Sequence, residues 1–597
     1  MAAAVVLAGA PLLWSACTDA WNDHYDVTEG GMADQGSLLE HIGADADLTN
    51  FYRVITAIKG AETLDSPQQL TVWAPKNLTS AQADSIIAVY QNDESKGVKW
   101  EDNRAVTQFF QNHVALYVRT VSSLTNDTVT MLNNKYMHLV GTSKTEGALN
   151  GNPFHEAVLC NNGMLYKTEN VQAFFPNVRE FLEQTAGMDS LANLITSFDE
   201  YELDEQASVA GGIVDGKTVY LDSVMNLSND LLKAYGYIQR EDSTYTLLVP
   251  TNEVWKREYE KYSQYFNYDP TVSNADSLAD INTKLSIICG RFFNTSTENR
   301  YNRHPEDSLV NTSYFERQSH NPRQNVYYKP YETILNGLQR VECSNGEVYI
   351  DDKGVIDPRT TFFGRSDIPA YYPFYYEIPK NSSNSETMNV SVLSYRAYSY
   401  DEDGNETVGK PYSYAEVTAK TSSAQTSLVY TLPNTLSGAY YNVYLVTVPD
   451  FQTNLPCWLQ VGYSVKNDRG TFPASPTYYT NPHPVTADSE VADADVILAQ
   501  SNNQRCYVTS AEKVDTILIQ SGVQFKYSGL GIDDEVVKFT IGSFGPSSGS
   551  YRERIYTRTL RLNEIILVPF ETKEEAEEAK DNMDAFNDEL LEANKEN

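Results

Sequence analysis

The residue types that most often carry catalysis are sparse in this chain, and they are not spaced for it. Its eight histidines form no H-x-x-x-H or H-x-H pair, so the usual spacings of zinc ligands are missing. Adjacent acids such as Asp199-Glu200 and Asp351-Asp352 could serve glycoside hydrolysis, but a chain with 80 acidic residues contains such pairs by number alone. These observations predict that the protein is not an enzyme, and they indicate no cofactor.

Two patterns bear on metal binding, and neither favours it. The segment Asp401–Glu406 (DEDGNE) has the composition of a calcium loop, but its glycine stands fourth instead of sixth, and no glutamate stands twelfth. We interpret residues 401–405 as the tip of a β-hairpin. Five cysteines form no C-x-x-C pair and are too far apart for a zinc motif; they are Cys160, Cys289, Cys343, Cys457 and Cys506. We interpret those near Asn-Gly turns as buried small hydrophobes, and we expect no metal site.

Tyrosine is the residue type that points to a binding surface, because the chain has 41 tyrosines against 22 phenylalanines. A tyrosine ring has an apolar face and a polar tip, so it suits surfaces that bind a ligand or a protein while staying hydrated. Two short segments next to prolines concentrate such rings. The candidate binding residues are Tyr371, Tyr372, Tyr375, Tyr376, Tyr478 and Tyr479. The alternative is that these rings pack into the core at a domain junction.

Length and composition indicate a globular protein of several domains. With 597 residues, three or four domains are expected. A hydrophobic content of 41%, with 12% aromatic residues, excludes a chain that is disordered throughout. The formal net charge of −35 repels phosphate backbones, and the most basic stretch, Arg552–Arg561, has the pattern of a β-strand. We therefore do not expect nucleic acid as a partner.

The first residues have the pattern of an exported, lipid-anchored protein. Ala2–Trp14 is an uncharged apolar run that is too short to cross a bilayer and has the length of a secretory signal. The small residues before Cys17 resemble a bacterial lipobox, which implies that Cys17 is acylated and becomes the mature N-terminus. Trp14 stands where leucine is usual, and no basic residues precede the run, so we expect a start site upstream. A buried N-terminal strand is the alternative.

An acidic tether, residues 18–36, follows the lipobox-like segment. Asp19 and Asp23 in this tether resemble the export signal of surface lipoproteins of the Bacteroidetes. The resemblance implies that the protein is held in the outer membrane through its lipid and is exposed at the cell surface.

A repeat organises the chain as far as residue 370. The boxes Thr71–Asn77 (TVWAPKN) and Thr246–Asn252 (TLLVPTN) lie 175 residues apart and predict short buried strands that end at proline. The pairs Asn162-Gly163 and Asn345-Gly346 lie 183 residues apart, and each predicts a turn that leads into a strand. The second copy is longer because of an insertion around residues 200–229 and an additional polar segment around residues 294–328.

Helix signals precede each box. Ser37 and Glu40 have the spacing of a capping box. Asp47 and Asp189 are predicted to cap the next helix in the first and second copy, respectively. Apolar residues at helical spacing follow Asp47; they are Leu48, Phe51, Val54, Ile55 and Ile58.

The paired boxes resemble the two signature motifs of fasciclin (FAS1) domains. The segment from Phe110 to Val114 (FQNHV) stands where that family has its Tyr-His motif, with Asn112 in place of the tyrosine. The second box usually carries histidine where this chain has Tyr166 and Tyr349. The resemblance covers about 320 residues, and it implies a scaffold fold without naming an active site.

From residue 371 the pattern changes to strands separated by turns, which predicts an antiparallel β-sandwich. Among the predicted strands are two separate ones at residues 516–519 and 523–527 and a last one at Leu560–Val568, which resembles the closing strand of carbohydrate-binding jelly rolls. The predicted fold class is α+β, with two fasciclin-like domains followed by a jelly-roll-like sandwich. The predicted segments are a signal (1–17), a tether (18–36), fasciclin-like domains (37–176 and 177–370), the sandwich (371–570) and an acidic helix or tail (571–597).

Fasciclin-containing surface lipoproteins of this layout resemble accessory components of SusC/SusD-type nutrient importers. The resemblance implies a non-catalytic protein that sits beside a TonB-dependent transporter and binds a glycan, a peptide or the transporter itself. The alternative function is a fasciclin-type adhesin that attaches the cell to a matrix or to other cells. The partners implied are the outer membrane and SusC/SusD-like proteins.

Overall fold

The computed structural model describes residues 36–206, 208–214, 217–222, 225–313, 325–400, 406–421, 424–484, 504–529, 535–544 and 556–581. The protein is of mixed α+β class, as the sequence predicts. It divides into two compact units, Met1–Asn177 and Val178–Asn597. In the described ranges, no helix is both long and apolar enough to span a bilayer.

The first unit combines helices with one seven-stranded sheet of order β2-β1-β7-β6-β5-β4-β3. Strands β1 and β7 pair in parallel, and the other neighbours pair antiparallel. The helices are α1 (Leu38–Ala44), α2 (Thr49–Ala57), α3 (Ala61–Leu64) and α4 (Ser80–Ser95). The strands are β1 (Leu70–Pro75), β2 (Val114–Leu116), β3 (Asn126–Thr130), β4 (Tyr136–Gly141), β5 (Gly147–Leu149), β6 (Asn152–Cys160) and β7 (Gly163–Thr168).

Strand β1 is buried on both faces because successive side chains point to opposite sides of the sheet. Val72 and Ala74 pack with the helices in one apolar cluster. Trp73 enters a second cluster and stacks on Tyr166, with ring centroids 5.8 Å apart. The prediction that Trp73 lies in the core is confirmed, and its counterpart Leu248 is also fully buried.

The asparagine of the Asn-Gly pair at the start of β7 makes hydrogen bonds to three segments of the first unit. Leu38 N donates to Asn162 Oδ1 at 2.8 Å, and Asn162 Nδ2 donates to the carbonyls of Leu64 and Ser66, both at 2.8 Å. Glycine is required at position 163, because a Cβ there would stand 2.0 Å from the Leu70 carbonyl oxygen of the parallel partner strand. One amide therefore joins α1, the end of α3 and the loop before β1.

The second unit begins with the same arrangement. Its four-stranded sheet has the order β13-β12-β17-β16, with β12 and β17 parallel. Its helices are α5 (Val178–Gln184), α6 (Asp189–Thr196), α7 (Asp230–Tyr235), α8 (Asn252–Tyr262) and α9 (Ala275–Ile288). Its strands are β8 (Asp199–Leu203), β9 (Val209–Val214), β10 (Lys217–Asp222), β11 (Met225–Asn229), β12 (Tyr245–Pro250), β13 (Phe292–Asn294), β14 (Ser308–Val310), β15 (Val326–Tyr328), β16 (Gln339–Cys343) and β17 (Gly346–Asp351).

Asn345 repeats the role of its counterpart in the first copy. It accepts from Val178 N at 2.9 Å and donates to the carbonyls of Ile238 and Arg240 at 2.8 and 2.9 Å. Gly346 has a φ of 140°, and a Cβ there would stand 1.9 Å from the Tyr245 carbonyl oxygen. The repeat read from the sequence is therefore a repeat of hydrogen bonds as well as of residues.

The insertion in the second copy consists of two antiparallel ribbons. Strands β8 and β11 pair with each other, and β9 and β10 pair with each other. The additional polar segment contributes β14 and β15, and its residues 314–324 lie outside the described ranges.

The rest of the second unit is a β-sandwich of two antiparallel sheets. One sheet has the order β20-β21-β29-β23-β27, with β18 also on β29; the other has the order β19-β22-β28-β24-β25, with β26 also on β24. The strands are β18 (Ser366–Pro369), β19 (Tyr376–Glu377), β20 (Met388–Tyr400), β21 (Glu406–Ala419), β22 (Ser427–Leu432), β23 (Tyr440–Thr447), β24 (Trp458–Val465), β25 (Thr477–Tyr478), β26 (Tyr507–Val508), β27 (Asp515–Gln524), β28 (Val537–Ser543) and β29 (Leu560–Phe570), and α10 (Lys573–Glu578) follows.

Within the second unit, the half that precedes the sandwich shares one apolar core with the sandwich. Tyr265, at the end of α8, is fully buried, and its carbonyl accepts from Ser528 Oγ at 2.7 Å. Asn267 Nδ2 donates to the Lys526 carbonyl at 3.0 Å. Strand β18, in the connection between the two halves, pairs with β29 at the centre of the first sandwich sheet. The two halves are therefore joined by packing and by a shared sheet.

Several local predictions are corrected by the structure. The capping box of Ser37 and Glu40 is confirmed. Asp47 is not a cap, because Asp45 caps a short 3₁₀ turn, Ala46–Leu48, that precedes α2. Asp189 is not a cap either: it is the first residue of α6, and its carboxylate instead accepts from Gly187 N and Asn252 Nδ2.

Two strands predicted around residues 516–519 and 523–527 form one strand, β27, which ends at Gln524. It continues through Gly522, where φ is 62° and the pairing with β23 shifts register. The five cysteines after residue 100 are buried and form no disulfide, and burial was interpreted from the sequence for those near the Asn-Gly turns. The predicted hairpin tip at 401–405 lies outside the described residues, but β20 and β21 on either side of it pair antiparallel.

Candidate functional site

The first tyrosine segment lies at one edge of the second sandwich sheet. Tyr375 is buried in the core, and Tyr372 and Tyr376 are half-buried against it. Tyr371 is also half-buried, and its ring centroid lies 4.8 Å from that of Tyr372. Phe374, which the sequence prediction did not select, is 42% exposed and is the most accessible ring of this cluster. Its place after Pro373 in the aromatic run was the available signal.

The second tyrosine pair lies at the opposite edge of the same sheet. Tyr479 is buried, stacks on Tyr463 with centroids 4.6 Å apart, and burial raises its pKa far above the usual value. Tyr478 is half-buried, and the guanidinium of Arg505 lies 5.9 Å from its ring centroid. A Cβ added at Gly462 would stand 3.1 Å from the Tyr478 ring, so that glycine leaves the space that the ring occupies.

The structure does not bring the two tyrosine segments together. Three strands (β22, β28 and β24) separate β19 from β25, a distance of about 19 Å at the usual strand spacing. The tyrosine side chains of the two segments also point to different faces of the sheet. Tyr376 pairs with the core residue Tyr430, whereas Tyr478 pairs with Gly462 and, through it, shares the outer face with Thr540. Tyr478 is therefore the candidate that lies on an accessible sheet face.

The outer face of this sheet is polar and partly exposed. Along β28, Lys538 and Thr540 are half-buried, while Val537, Phe539 and Ile541 between and beside them are in the core. Lys538 Nζ lies 3.0 Å from a carboxylate oxygen of Glu377. Glu535 lies 3.1 Å from the same Nζ, so two carboxylates flank the lysine, and the Thr540 hydroxyl group and the Tyr478 ring lie on the same face.

A groove of about 370 Å³ opens on the other side of the sandwich, where the first sheet meets the end of α10. His483 Nε2 lies 3.2 Å from Asp581 Oδ1, and Tyr444 Oη donates to the Lys580 carbonyl at 3.0 Å. Burial raises the pKa of the Asp515 carboxyl, and Lys513 partly opposes this. The groove has the size and the mixed lining of a site for a small polar ligand. It is lined by Tyr444, Asn481, His483, Val508, Asp515, Thr516, Ile517, Leu518, Lys580 and Asp581.

His113, in the segment Phe110–Val114 (FQNHV), has a structural role. Its Nδ1–H donates to the Phe109 carbonyl at 2.7 Å, because its Nε2 must accept from Gln172 N at 2.9 Å. The ring is fully buried, and burial lowers its pKa to about 4. Both ring nitrogens are occupied, so His113 has no free atom for acid–base catalysis. Its neighbour Asn112 is also buried and donates to the Gln172 and Ala173 carbonyls.

Arg291 occupies the corresponding position in the second copy, directly before β13 as His113 stands directly before β2. Its guanidinium is fully buried and contacts Asp351 Oδ2 at 2.7 Å and both Glu258 carboxylate oxygens at 3.0 Å. Burial raises the pKa of Glu258 despite Arg291, whereas the ion pair with Arg291 outweighs burial and lowers the pKa of Asp351. This buried triad joins α8, the residue before β13, and β17.

The sequence contains one match to a nucleotide-binding motif, and the fold around it does not fit that role. Gly211–Thr218 (GGIVDGKT) matches the pattern of a phosphate-binding loop. Such a loop needs a helix after it, whose N-terminal amides hold the phosphates. Here Lys217 and Thr218 lie in strand β10, which pairs antiparallel with β9, so the helix is replaced by a strand. A different string, Gly545–Gly549 (GPSSG), has the G-x-S-x-G spacing of a nucleophile elbow. It lies outside the described residues.

Among the described residues, one group of side chains could supply three metal ligands: His304, Glu306 and Asp307. All three are exposed, and exposed acidic groups commonly carry no ion. The predicted lipidation and export residues Cys17, Asp19 and Asp23 lie outside the described residues.

No protein-family model matches the chain, and no curated protein matches it. Among solved structures, the chain is similar to a FAS1 domain pair from the insect cell adhesion molecule fasciclin I, with 14% identity and a TM-score of 0.18. That match covers 53% of this chain and 98% of the fasciclin chain. The similarity to the FAS1 pair is weak.

Two carbohydrate-active enzymes are also among the solved structures that the chain resembles. One is the CBM22-1–GH10 part of xylanase 10B from Clostridium thermocellum in complex with xylohexaose, at 8% identity, covering 30% of this chain and 25% of that chain, with a TM-score of 0.15. The other is the arabinose-bound α-L-arabinofuranosidase MgGH51, at 10% identity, covering 34% and 26%, with a TM-score of 0.16. The chain spans about a quarter of each enzyme, and both similarities are weaker than a shared fold requires.

Proposed function

We propose that this protein is a non-catalytic surface lipoprotein that binds an uncharged polymer, a glycan or a peptide, on its β-sandwich as an accessory component of a SusC/SusD-type uptake complex. The observation that carries the proposal is the Tyr478 ring, which the two-residue edge strand β25 places on the outer face of the second sandwich sheet. Its lipid anchor would be Cys17, and Asp19 and Asp23 would direct export to the cell surface.

The neighbours of Tyr478 support a binding role. The ring lies across Gly462, and Pro476 contacts the same space, so the side chain has little freedom to lose when a ligand binds. The hydroxyl group of Thr540 lies on the same face of the sheet. A ring with an apolar face beside hydroxyl groups suits a ligand that combines apolar and hydroxylated surfaces.

Electrostatics favour an uncharged ligand. The formal net charge of −35 repels anionic polymers, and Lys538 on the outer face is already paired with Glu377. The groove beside α10 offers a second, smaller site for a polar end group.

The test is calorimetric titration of the full chain with soluble neutral glycans (xylan, β-glucan, mannan and starch oligomers) and with an uncharged peptide mixture. Tyr478→Ala should weaken binding of the preferred polymer by about 2 kcal/mol, roughly 30-fold, and leave the melting temperature within a degree or so. Tyr136→Ala removes an exposed tyrosine from β4 in the first unit and is the control. If no polymer binds, or if Tyr478→Ala binds like the wild type, the proposed site is wrong.

The accessory role is tested separately by purification from outer membranes. A SusC/SusD pair should co-purify with the wild type, and Cys17→Ala should abolish membrane retention. Recovery of a matrix or neighbour-cell ligand without a transporter would support the adhesin instead.

A further inference from the structure

The ribbon formed by β8 and β11 exposes an unusual apolar face. Its pairing places Tyr201 opposite Leu227 and Leu203 opposite Met225, so all four side chains point to the same side. Their exposed fractions are 69%, 42%, 37% and 48%, respectively. In the part of the chain that the structure describes, no third strand pairs with this ribbon. Clusters of large exposed apolar side chains on soluble proteins mark surfaces that another molecule covers.

The base of the ribbon is fixed by buried polar contacts. Asp199 pairs with Asn229, whose Nδ2 donates to Asp199 Oδ1 at 2.7 Å and to the Ile195 carbonyl at 2.8 Å. The buried Arg179 guanidinium holds the same carboxylate, with Nη2–Oδ2 at 2.5 Å. An isolated two-stranded ribbon is at best marginally stable in water, so this anchor is what fixes its direction. The apolar face is therefore presented in a defined orientation.

The other face and the outer end of the ribbon are acidic. Glu200 and Glu202 lie on the face opposite the apolar one, and both are exposed. Asp204 and Glu205 follow directly at the outer end. A partner that covers the apolar face therefore meets Asp204 and Glu205 where that face ends, and Glu200 and Glu202 add negative charge across the thin ribbon. This arrangement favours lysine or arginine at the partner's border.

We propose that the β8–β11 ribbon is a docking surface for another protein, which presents an apolar patch bordered by basic side chains. A second copy of this chain is disfavoured, because two chains that each carry a net charge of −35 repel each other. An anionic lipid surface is disfavoured for the same reason. This surface is distinct from Tyr478 and the sandwich groove, so it does not depend on the proposed ligand.

The experiment uses the full chain and three labelled 12-residue peptides as probes: one alternates leucine and lysine, one alternates serine and lysine, and one alternates leucine and glutamate. Fluorescence anisotropy should show the leucine–lysine peptide binding at least tenfold more tightly than either of the others. The double variant Tyr201→Ser/Leu227→Ser keeps the net charge and should lose at least tenfold of that affinity. Leu124→Ser removes an isolated leucine that is 89% exposed in the first unit, and it should change nothing.

The acidic contribution is measured with Glu200→Gln/Glu202→Gln, which should weaken binding of the leucine–lysine peptide and reduce its salt dependence. Hydrogen exchange on the variants shows whether the ribbon is still paired. Equal binding of the peptide by wild type and the serine double variant would overturn the proposal. So would a concentration-dependent dimer, or binding to phosphatidylglycerol vesicles, that the same substitutions abolish, because the occupant would then be a second copy or a membrane.

Discussion

Replacing Asn162 by alanine should destabilise the first compact unit and leave the second unchanged, and Asn345→Ala should do the reverse. Each side chain is buried and makes three hydrogen bonds of 2.8–2.9 Å to backbone groups that come from different elements of its own copy. Alanine removes all three bonds and supplies no replacement. The first helix of the copy and the loop before its central strand then lose their common attachment.

The magnitude follows from the hydrogen bonds. A net contribution of about 0.5–1.5 kcal/mol per bond gives about 1.5–4.5 kcal/mol for three, and a buried group left without a partner moves the value toward the upper part of that range. We therefore expect a loss of about 3 kcal/mol in the free energy of unfolding of the affected unit. For a two-state transition this is roughly a 150-fold change in the unfolding equilibrium.

Hydrogen exchange in increasing urea measures the two units within the full chain. The amides of Gly163–Thr168 report on the first unit, and those of Gly346–Asp351 report on the second. Asn92→Ala, at an exposed position of α4, is the control and should change stability by less than about 0.5 kcal/mol. A loss below about 1 kcal/mol for Asn162→Ala, or an equal loss in both units, would refute the reasoning.

Three further predictions concern buried side chains. Trp73→Ala should cost about 3–5 kcal/mol by leaving a cavity, seen as a shifted urea transition of the first unit; an unshifted transition would contradict its place in the core. His113 has a folded-state pKa of about 4 against 6.5 unfolded, so its contribution is full above pH 6.5 and is lost as the pH falls toward 4, at 1.36 kcal/mol per pH unit or about 3 kcal/mol in all. Urea unfolding between pH 7 and 4 should show this loss in the wild type and a flatter profile in His113→Gln. Arg291→Met leaves the carboxylates of Glu258 and Asp351 buried without a cation, so it should cost about 3–5 kcal/mol at pH 7 and less at pH 5, where protonation relieves the charge; a cost that does not depend on pH would argue against the triad.

The repeat could be predicted from the sequence because it depends on backbone constraints that few residues satisfy. Gly163 and Gly346 stand where a parallel neighbour leaves no room for a Cβ, and the asparagine before each supplies both a donor and an acceptor. Helix starts were harder to predict. Several acids lie near each start, and the choice of Asp45 over Asp47 depends on a short 3₁₀ turn that periodicity does not reveal.

The candidate binding residues could be found by type but could not be assigned to a face. Consecutive tyrosines in a strand must point to opposite sides, so one of Tyr478 and Tyr479 had to be in the core. The sequence does not say which one, because both residues are equally amphipathic. The groove beside α10 was beyond sequence reasoning, since its lining comes from five separate segments of the chain that meet only in the folded protein.

The position of β29 has a consequence for synthesis of the chain on the ribosome. This strand pairs with β18, β21 and β23, so the first sandwich sheet lacks its middle until residue 560 and those after it have emerged. Strand β18 ends at Pro369, 191 residues before Leu560, and at about 5–20 residues per second its partner arrives roughly 10–40 s later. The first unit is complete at Asn177 and can fold before that interval begins, whereas the strands of the sandwich stay open at their edges during it. Nascent chains of this protein should therefore depend on chaperones mainly while residues between β18 and β29 are being translated.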